Sequence, residues 1–297
     1  MNVLSLFDGI SVGQVALKRV GIKYDSYYAS EINEDSITVT KHNHPNTVHI
    51  GDVTNIDEYF INNLPKIDLL IGGSPCQGLS RSKNGRLNLS DPRSKLFFNY
   101  VDILGWLRKR NPDIKFMLEN VKPNKETVEL MNEAIGCEPI EINSELFSAQ
   151  RRVRLYWTNI EVPELPRENN LTIKDIEFPH EHDVKVVKDE HVDTIRLGKN
   201  CMSYDTSGKG WYSQANRAYY RDGKMCTIPK SRTKSKCNIY LGGREFRRPH
   251  PIEIERLQTL PDNYTSVIKS DDSRMGMVGD GWTADVIAHI FKGLKTT

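Results

Sequence analysis

The sequence predicts an α/β protein, in which a doubly wound sheet is accompanied by a second, smaller and loop-rich domain. Over the first 160 residues, short apolar runs alternate with segments of helical spacing, which is typical of a parallel sheet. Glycine or polar residues follow each of these runs. Beyond about residue 161 the alternation weakens, since Pro163, Pro166 and Pro179 interrupt the chain.

The individual elements are predicted from apolar patterns and from the glycine, proline and polar residues that end them. Strands are predicted for VLSLF (3–7), YDSYYASE (24–31), DLLIGG (68–73), IKFMLENV (114–121) and RLYWTNI (154–160), with a further short strand before GDV (51–53). Helices are predicted for GQVALKRVG (13–21), LFFNYVDILGWLRKRNP (96–112), PIEIERLQTLP (251–261) and TADVIAHIFKGL (283–294). The last helix has one apolar face, which predicts that it packs on the first domain.

Charge is distributed unevenly along the chain. Residues 196–248, here called the basic block, contain 13 Lys and Arg against 3 Asp and Glu, whereas the whole chain has 41 against 39. The rest of the chain is therefore acidic. A basic block on an acidic protein predicts a polyanionic partner.

The amino-acid composition predicts the cellular setting and argues against membrane and metal partners. Five cysteines without C-x-x-C spacing indicate a reduced, cytoplasmic setting rather than a disulfide framework. No apolar run approaches the ~20 residues that cross a bilayer, so no membrane partner is expected. The pairs HNH (42–44) and HEH (180–182) lack cysteine partners at zinc-finger spacing, so no metal site is expected.

The first predicted strand leads into FDGISVG (7–13), where glycines would let backbone N–H groups approach a ligand at a helix N-terminus. The pattern is not G-x-G-x-x-G, which disfavours a nicotinamide dinucleotide. Glu31 ends the next strand, where a carboxylate can hold ribose hydroxyls. Asp52 follows the third strand and could accept from an exocyclic amine. These residues predict a nucleoside-bearing cofactor, and S-adenosylmethionine fits that description.

A second group of reactive residues follows the next strands. Cys76 comes after GGSP, Glu119 lies in ENV (119–121), and QRRVR (150–154) places Arg152 and Arg154 at alternate positions before a strand. Ligands in open α/β sheets bind at the carboxyl ends of strands, and a thiolate there can act as a nucleophile. A catalytic constellation is therefore predicted.

In these motifs the chain resembles the DNA (cytosine-5)-methyltransferase family over nearly its full length. The matching stretches are LFDGISVG, ASE, GDV, GGSPCQGLS, FMLENV, QRRVRLYW, RRPHPIEIERLQTLPDNY and GDGWTADVIAHI. Several of them look closest to the animal de novo branch, whereas the length resembles a bacterial or phage enzyme. Two positions depart from the usual pattern. Ser11 stands where the first loop has its second glycine, and Asp280 stands where the last motif has asparagine.

The resemblance implies a Rossmann-like, S-adenosylmethionine-dependent fold, with a catalytic domain of residues 1–162 plus 275–297 and a target-recognition domain of residues 163–274. It implies that Cys76 attacks C6 of a flipped cytosine, that Glu119 contacts N3 and the exocyclic amine, that Arg154 orients Glu119 and that Arg152 supports the active loop. Further implied cofactor contacts are Phe7, Asp8, Gly9, Ile10, Glu31, Ile32, Asp52, Val53, Ser74, Pro75, Asp280, Gly281 and Trp282. Predicted contacts to double-stranded DNA are Gln77, Ser80, Arg81, Ser82, Arg93, Arg217, Arg232, Lys234 and Lys236.

Two alternatives stay open at this point. The same catalytic domain could methylate tRNA or another RNA, although SPCQGLS and the sizeable basic second domain favour DNA. The chain could instead be a DNA-binding relative without activity, but such a relative would be expected to lack the cysteine or the glutamate. The resemblance further predicts a monomer in the cytoplasm, associated with the nucleoid. It leaves open the DNA target sequence, and whether the enzyme belongs to a restriction-modification pair, protects a phage genome or is an orphan.

Overall fold

A computed structural model describes residues 1–75, 92–167, 169–181, 183–210, 212, 216–229 and 237–295, with the side chains of 92–94 excepted. The chain divides into two compact units. The first comprises Met1–Ile142, Val153–Glu164 and Val286–Thr297, and the second comprises Asn143–Arg152 and Leu165–Asp285.

The first unit is built on a seven-stranded sheet. Its strands are β1 (Asn2–Leu6), β2 (Ser26–Ser30), β3 (Val48–Gly51), β4 (Leu69–Gly73), β5 (Lys115–Asn120), β6 (Pro139–Asn143) and β7 (Val153–Thr158). The strand order is β3-β2-β1-β4-β5-β7-β6. The chain winds outward from β1 to β3 and then returns to place β4 on the other side of β1. The pair β1 and β4 is therefore the topological switch point, where ligands bind in sheets of this kind.

The predicted strands of this sheet are all present, but the sheet is not fully parallel. β1, β2, β3, β4 and β5 pair in parallel, whereas β7 runs antiparallel to β5. The connection between β6 and β7, residues 144–152, is shorter than the dozen or so residues that a parallel crossover needs. The expectation of parallel pairing throughout was therefore wrong at this edge.

Helices connect the strands of the first unit. They are α1 (Val12–Arg19), α2 (Glu34–Asn43), α3 (Glu58–Asn63), α4 (Pro92–Arg110) and α5 (Lys125–Ile135). The main core lies between the strands and α3, α4 and α5, where fully buried side chains include Leu4, Leu70, Phe97, Phe116 and Trp157. Burial of such side chains is the dominant stabilising term for a sheet covered by helices.

The second unit contains a six-stranded sheet of short strands. These are β8 (Lys185–Val186), β9 (Arg196–Leu197), β10 (Cys201–Ser203), β11 (Arg217–Tyr219), β12 (Asn238–Gly242) and β13 (Glu245–Arg247), in the order β8-β13-β12-β11-β10-β9. Its helices are α6 (Ile173–Ile176), α7 (Pro251–Leu257) and α8 (Asp271–Asp280). α7 ends before the predicted Pro261 because Thr259 adopts a left-handed conformation with φ of 52°.

The C-terminal helix, α9 (Ala284–Phe291), continues into a short 3₁₀ turn over Lys292–Lys295. Residues from Val286 onward belong to the first unit, as the apolar face predicted. His289 Nε2 lies 3.1 Å from the carbonyl oxygen of Pro163. A side chain at Gly293 would overlap the Glu161 carbonyl, so only glycine permits this approach.

Candidate active site

The loop after β1 has an unusual backbone. Phe7, Gly9 and Ser11 all have positive φ, between 57° and 58°. Left-handed conformations cost little for glycine and are uncommon for other residues. Residue 11, where the sequence departs from the glycine of the related motif, therefore keeps the backbone that glycine would adopt.

A buried hydrogen-bond network holds this loop. One carboxylate oxygen of Asp8 accepts from the Tyr27 hydroxyl at 2.8 Å, and the other accepts from the Ser11 hydroxyl. Burial raises the pKa of Asp8 from 3.8 to about 6, although the hydrogen bonds from Ser11, Ser5 and Tyr27 oppose the shift. The Asp8 carboxylate therefore organises the loop from inside the fold, and Ile10 is also buried.

Glu31, at the end of β2, is joined to the same loop. Its Oε2 accepts from the Gly9 backbone N–H at 2.8 Å, while its Oε1 accepts from the N–H groups of Ile32 and Asn33, each at 2.8 Å. The structure thus brings the two predicted cofactor segments, 7–10 and 31–32, together at one edge of the sheet. The side chain of Ile32 beside them is 68% exposed.

Asp52 and Val53 follow β3 at the same edge. The Asp52 side chain caps a short 3₁₀ turn, in which Oδ1 accepts from the Thr54 N–H at 2.9 Å. Val53 is buried. The carboxylate of Asp52 therefore sits at the end of the third strand, as the sequence predicted.

β4 ends beside β1 and β5 in a closely packed arrangement. A Cβ at Gly72 would lie 3.0 Å from the Tyr100 ring and 3.2 Å from the Leu6 carbonyl oxygen, so the position favours glycine. The Asn120 amide, at the end of β5, donates to the Ser74 hydroxyl at 3.0 Å. Sequence analysis did not single out Asn120, although it lies within the ENV motif. This bond fixes Ser74, after which only the exposed Pro75 precedes Cys76.

Glu119 and Arg154 form an ion pair on neighbouring strands. Arg154 Nε lies 2.9 Å from Glu119 Oε1, and both side chains are largely buried. Glu119 is also in register with Gly73 at the end of β4. The predicted pair of carboxylate and guanidinium is therefore assembled at the carboxyl end of β5, next to the strand that leads towards Cys76.

Several predicted residues lie outside the described part of the chain. They are Cys76, Gln77, Ser80, Arg81, Ser82, Arg232, Lys234 and Lys236, while only the backbone of Arg93 is described, within α4. Their roles stay predictions. Arg217, by contrast, lies in β11 and donates to the Tyr212 carbonyl at 3.1 Å.

Arg152 contributes to a different cluster, within the second unit. Its side chain is buried and Nη2 donates to the Gly281 carbonyl at 2.9 Å, which also accepts from the Gln258 amide at 3.1 Å. Thr283 in turn donates to Gln258 at 2.6 Å. Arg152 thus anchors the predicted cofactor residues Asp280, Gly281 and Trp282, of which Trp282 is buried.

Several arginines of the basic block form ion pairs with acids that lie outside the block. Arg221 pairs with Glu177 through two bonds of 2.5 Å, Arg247 pairs with the buried Glu253, and Lys224 donates to backbone carbonyls. Arg244 and Arg248 pair with acids as well, Asp189 at 2.5 Å and Asp272 at 2.9 Å. The net charge of this block therefore overstates the charge that is available to a polyanion.

Neither a metal cluster nor a membrane span is found among the described residues. No group of three or more His, Cys, Asp or Glu there is arranged to hold a metal ion. None of the described helices combines the length and the hydropathy that a membrane span requires.

Comparison with known proteins finds similarity to one family of enzymes. Residues 1–135 match the family of C-5 cytosine-specific DNA methylases. The orphan methyltransferase M.SPRI of Bacillus phage SPR is 35% identical over 173 residues, which are 54% of this chain and 38% of the phage protein. The Type II methyltransferase M.FnuDI of Fusobacterium nucleatum is 27% identical, with 100% of this chain and 95% of that protein covered.

The fold is shared with solved structures of low sequence identity. The Entamoeba histolytica methyltransferase EhMeth superposes with a TM-score of 0.71 at 18% identity, covering 99% of this chain and 98% of that one. This likeness and the doubly wound sheet confirm the predicted Rossmann-like methyltransferase fold. The match to the phage relative spans less than two fifths of that protein's length. The family match over residues 1–135 and the similarity to the Type II relative over the whole chain support a DNA (cytosine-5)-methyltransferase family for this protein.

Proposed function

We propose that the protein transfers a methyl group from S-adenosylmethionine to C5 of a cytosine in double-stranded DNA. The observation that carries this proposal is the ion pair of Glu119 and Arg154, 2.9 Å apart, at the carboxyl end of the strand beside β4. A carboxylate held by a guanidinium in this place can face a polar base edge. The next residues along β4 lead through Pro75 to the cysteine that the chemistry requires.

The chemistry assigns a role to each of these side chains. Cytosine C5 is a weak nucleophile, and addition of the Cys76 thiolate at C6 raises the electron density at C5. Glu119 would hold or protonate N3, which takes up the charge that the addition creates. Arg154 would keep Glu119 in one orientation. After C5 is methylated, loss of its proton expels the Cys76 thiolate and restores the aromatic ring.

The reacting base must leave the DNA stack. Neither C6 nor N3 can meet protein side chains inside a duplex, so the cytosine has to be flipped out, at a cost of a few kcal/mol. This requirement supports a polar site at the open edge of the sheet rather than a buried one. The target-recognition role of residues 163–274 belongs to the same proposal.

The edge formed by β1, β2 and β3 suits the nucleoside part of S-adenosylmethionine. Glu31 Oε2 accepts a single backbone bond, which leaves it able to accept from a ribose hydroxyl as well. The exposed Ile32 offers apolar surface to a flat ring, and nothing lies within 4 Å of a Cβ built at Gly9. Asp52 could accept from an exocyclic amine. When bound, S-adenosylmethionine supplies an electrophilic methyl group.

The test is transfer of label from methyl-labelled S-adenosylmethionine to nucleic acid. We expect label in duplex DNA, in 5-methylcytosine after hydrolysis, and none in tRNA. A Cys76→Ser protein should still bind DNA but transfer no label, since a hydroxyl is far less ionised than a thiol at neutral pH. Label in tRNA alone would favour the RNA alternative, and normal turnover by Cys76→Ser would refute the nucleophile.

A further inference from the structure

Two cysteines of the second unit are in direct contact through their sulfur atoms. Cys226 Sγ and Cys237 Sγ are 3.3 Å apart, although they are separated by ten residues in the chain. Cys237 is 3% exposed and Cys226 is half-buried. A disulfide bond is about 2.0 Å long, so bond formation needs the two sulfurs to approach by only about 1.3 Å.

The backbone on both sides of this contact is held by hydrogen bonds. Met225, next to Cys226, accepts from the Arg151 N–H and donates to the Ala149 carbonyl, each at 2.8 Å. Asn238, next to Cys237, is paired with Ala218 between β12 and β11. The backbone next to each cysteine is therefore held in place by the surrounding fold.

A third thiol and a tyrosine lie close to the pair. Cys201 in β10 is opposite Tyr219 in β11. Burial raises the pKa of Tyr219, and the neighbouring Cys226 raises it further. Burial also raises the pKa of Cys201, which favours its protonated thiol at neutral pH. The thiol is a weaker nucleophile than the thiolate. Because Cys201 lies nearby, it could still compete for a disulfide bond with Cys226, and a test has to distinguish the two bonds.

We propose that Cys226 and Cys237 form a reversible dithiol–disulfide pair that responds to low-molecular-weight disulfides such as oxidised glutathione. The more exposed Cys226 thiolate attacks one sulfur of the oxidant and releases one glutathione thiol, which leaves a mixed disulfide. The Cys237 thiolate then attacks Cys226 Sγ and releases the second glutathione. The protein loses two protons and two electrons, and the two molecules of reduced glutathione take them up.

The pair would operate independently of methyl transfer. By sequence, the ring that the bond closes contains residues 227–236, four of which are Lys or Arg. A cross-link of this kind restricts the unfolded chain and raises the melting temperature. We therefore expect oxidation to produce a disulfide bond and to raise the melting temperature.

The experiment treats the reduced full-length protein with oxidised glutathione, alkylates the remaining thiols, and maps the peptides by mass spectrometry without reduction. We expect one linked peptide pair containing Cys226 and Cys237, an intact mass lower by two hydrogens, and reversal by dithiothreitol. Cys137→Ser is the matched control, since Cys137 is a half-exposed thiol of the first unit, and it should leave the linked pair unchanged. Cys226→Ser and Cys237→Ser should each abolish it.

Two results would overturn the proposal. One is separate glutathionylation of Cys226 or Cys237 without any linkage between them. The other is a bond between Cys226 and Cys201. The peptide map of the unmutated protein decides between these outcomes even if a serine variant fails to fold. Since no readout involves methylation, the result is also separable from failure of the proposed enzymatic function.

Discussion

Arg154 and Glu119 face each other across an antiparallel strand pair, with Nε and Oε1 2.9 Å apart and both side chains largely buried. The guanidinium therefore holds the carboxylate in one orientation. Removal of one partner from such a pair leaves a buried charge uncompensated, which makes each residue dependent on the other.

Arg154→Ala should lower kcat for methyl transfer by about 10²-fold to 10⁴-fold, which is the range for loss of a positioned acid or base. Glu119→Gln should fall in the same range. Steady-state assays with labelled cofactor measure both. Lys122→Ala is the matched control, because Lys122 pairs with Glu141 at an exposed site just beyond β5 and should leave kcat unchanged. Full kcat in Arg154→Ala would remove the pair from the mechanism.

Glu31→Ala should weaken binding of S-adenosylmethionine by roughly ten-fold to a hundred-fold, because a charge-assisted hydrogen bond contributes about 1.5–3 kcal/mol. The loss includes the contact that holds the Gly9 N–H. Calorimetry with the cofactor is the measurement. Glu34→Ala removes an exposed carboxylate from the first turn of α2 and should have no effect. Equal affinity in the two variants would exclude Glu31 from the site, and DNA affinity should change less than cofactor affinity.

Asp8 should make stability depend on pH in the acid range. Its pKa is about 6 in the folded state and 3.8 when exposed, so between these values the unfolded chain loses the proton and the folded chain keeps it. The stabilisation is therefore complete below about pH 4 and lost as pH rises through 6, with a total of about 3 kcal/mol. Asp8→Asn should remove this component.

The measurement for Asp8 is urea unfolding of the parent protein and of Asp8→Asn over a series from about pH 4.5 to 7.5. The difference in unfolding free energy between the two proteins should change across the series and become constant above about pH 7. A constant difference throughout would mean that the Asp8 pKa is not raised in the folded protein.

Gly72→Ala should destabilise the protein by about 1–3 kcal/mol, because the new methyl group meets the Tyr100 ring and the Leu6 carbonyl. Gly105→Ala is the matched control in α4. It has open space around the added Cβ and an unstrained backbone, so it should stabilise by up to about 1 kcal/mol. Thermal unfolding followed by circular dichroism compares the two. Similar melting temperatures would mean that the close approach at Gly72 relaxes without cost.

Substitutions in the basic block should separate into two classes. Lys234→Ala removes a predicted phosphate contact, so DNA affinity should fall and the slope of log affinity against log salt should decrease by about one. Arg244→Ala removes the same charge, but Arg244 is already paired with Asp189, so the slope should stay unchanged. Fluorescence anisotropy over a salt series measures both. Identical slopes for Lys234→Ala and the parent protein would remove Lys234 from the contact surface.

The sequence predicted the elements that carry strong apolar patterns. β1, β4, β5 and the apolar part of α4 were predicted within a few residues, because fully buried strands and long amphipathic helices produce clear periodicity. α2 and α8 were missed because their apolar faces are weak. Their capping residues, Asn33 and Ser270, each accept from a backbone N–H three residues later and provided the available signal.

Contacts of the candidate site residues were predictable between neighbouring strand ends, and less so where a partner comes from a distant segment. Glu119 and Arg154 were predicted as a pair and are found as one. The bond from Arg152 to Gly281 joins positions 129 residues apart, and local pattern does not report such a contact. The neutralisation of Arg221 by Glu177 was missed for the same reason, since charge counting treats neighbouring segments separately.

The first unit incorporates the C-terminal segment from Val286 onward, in which Gly293 packs against the Glu161 carbonyl. During synthesis, this unit therefore cannot be completed until the ribosome has translated residues 286–295, whereas β1 to β5 are translated more than 160 residues earlier. The nascent sheet would wait with part of its apolar surface uncovered, for many seconds at ~5–20 residues per second. Translation of residues 286–295, rather than the formation of the sheet, would then set the moment at which the first unit becomes resistant to proteases.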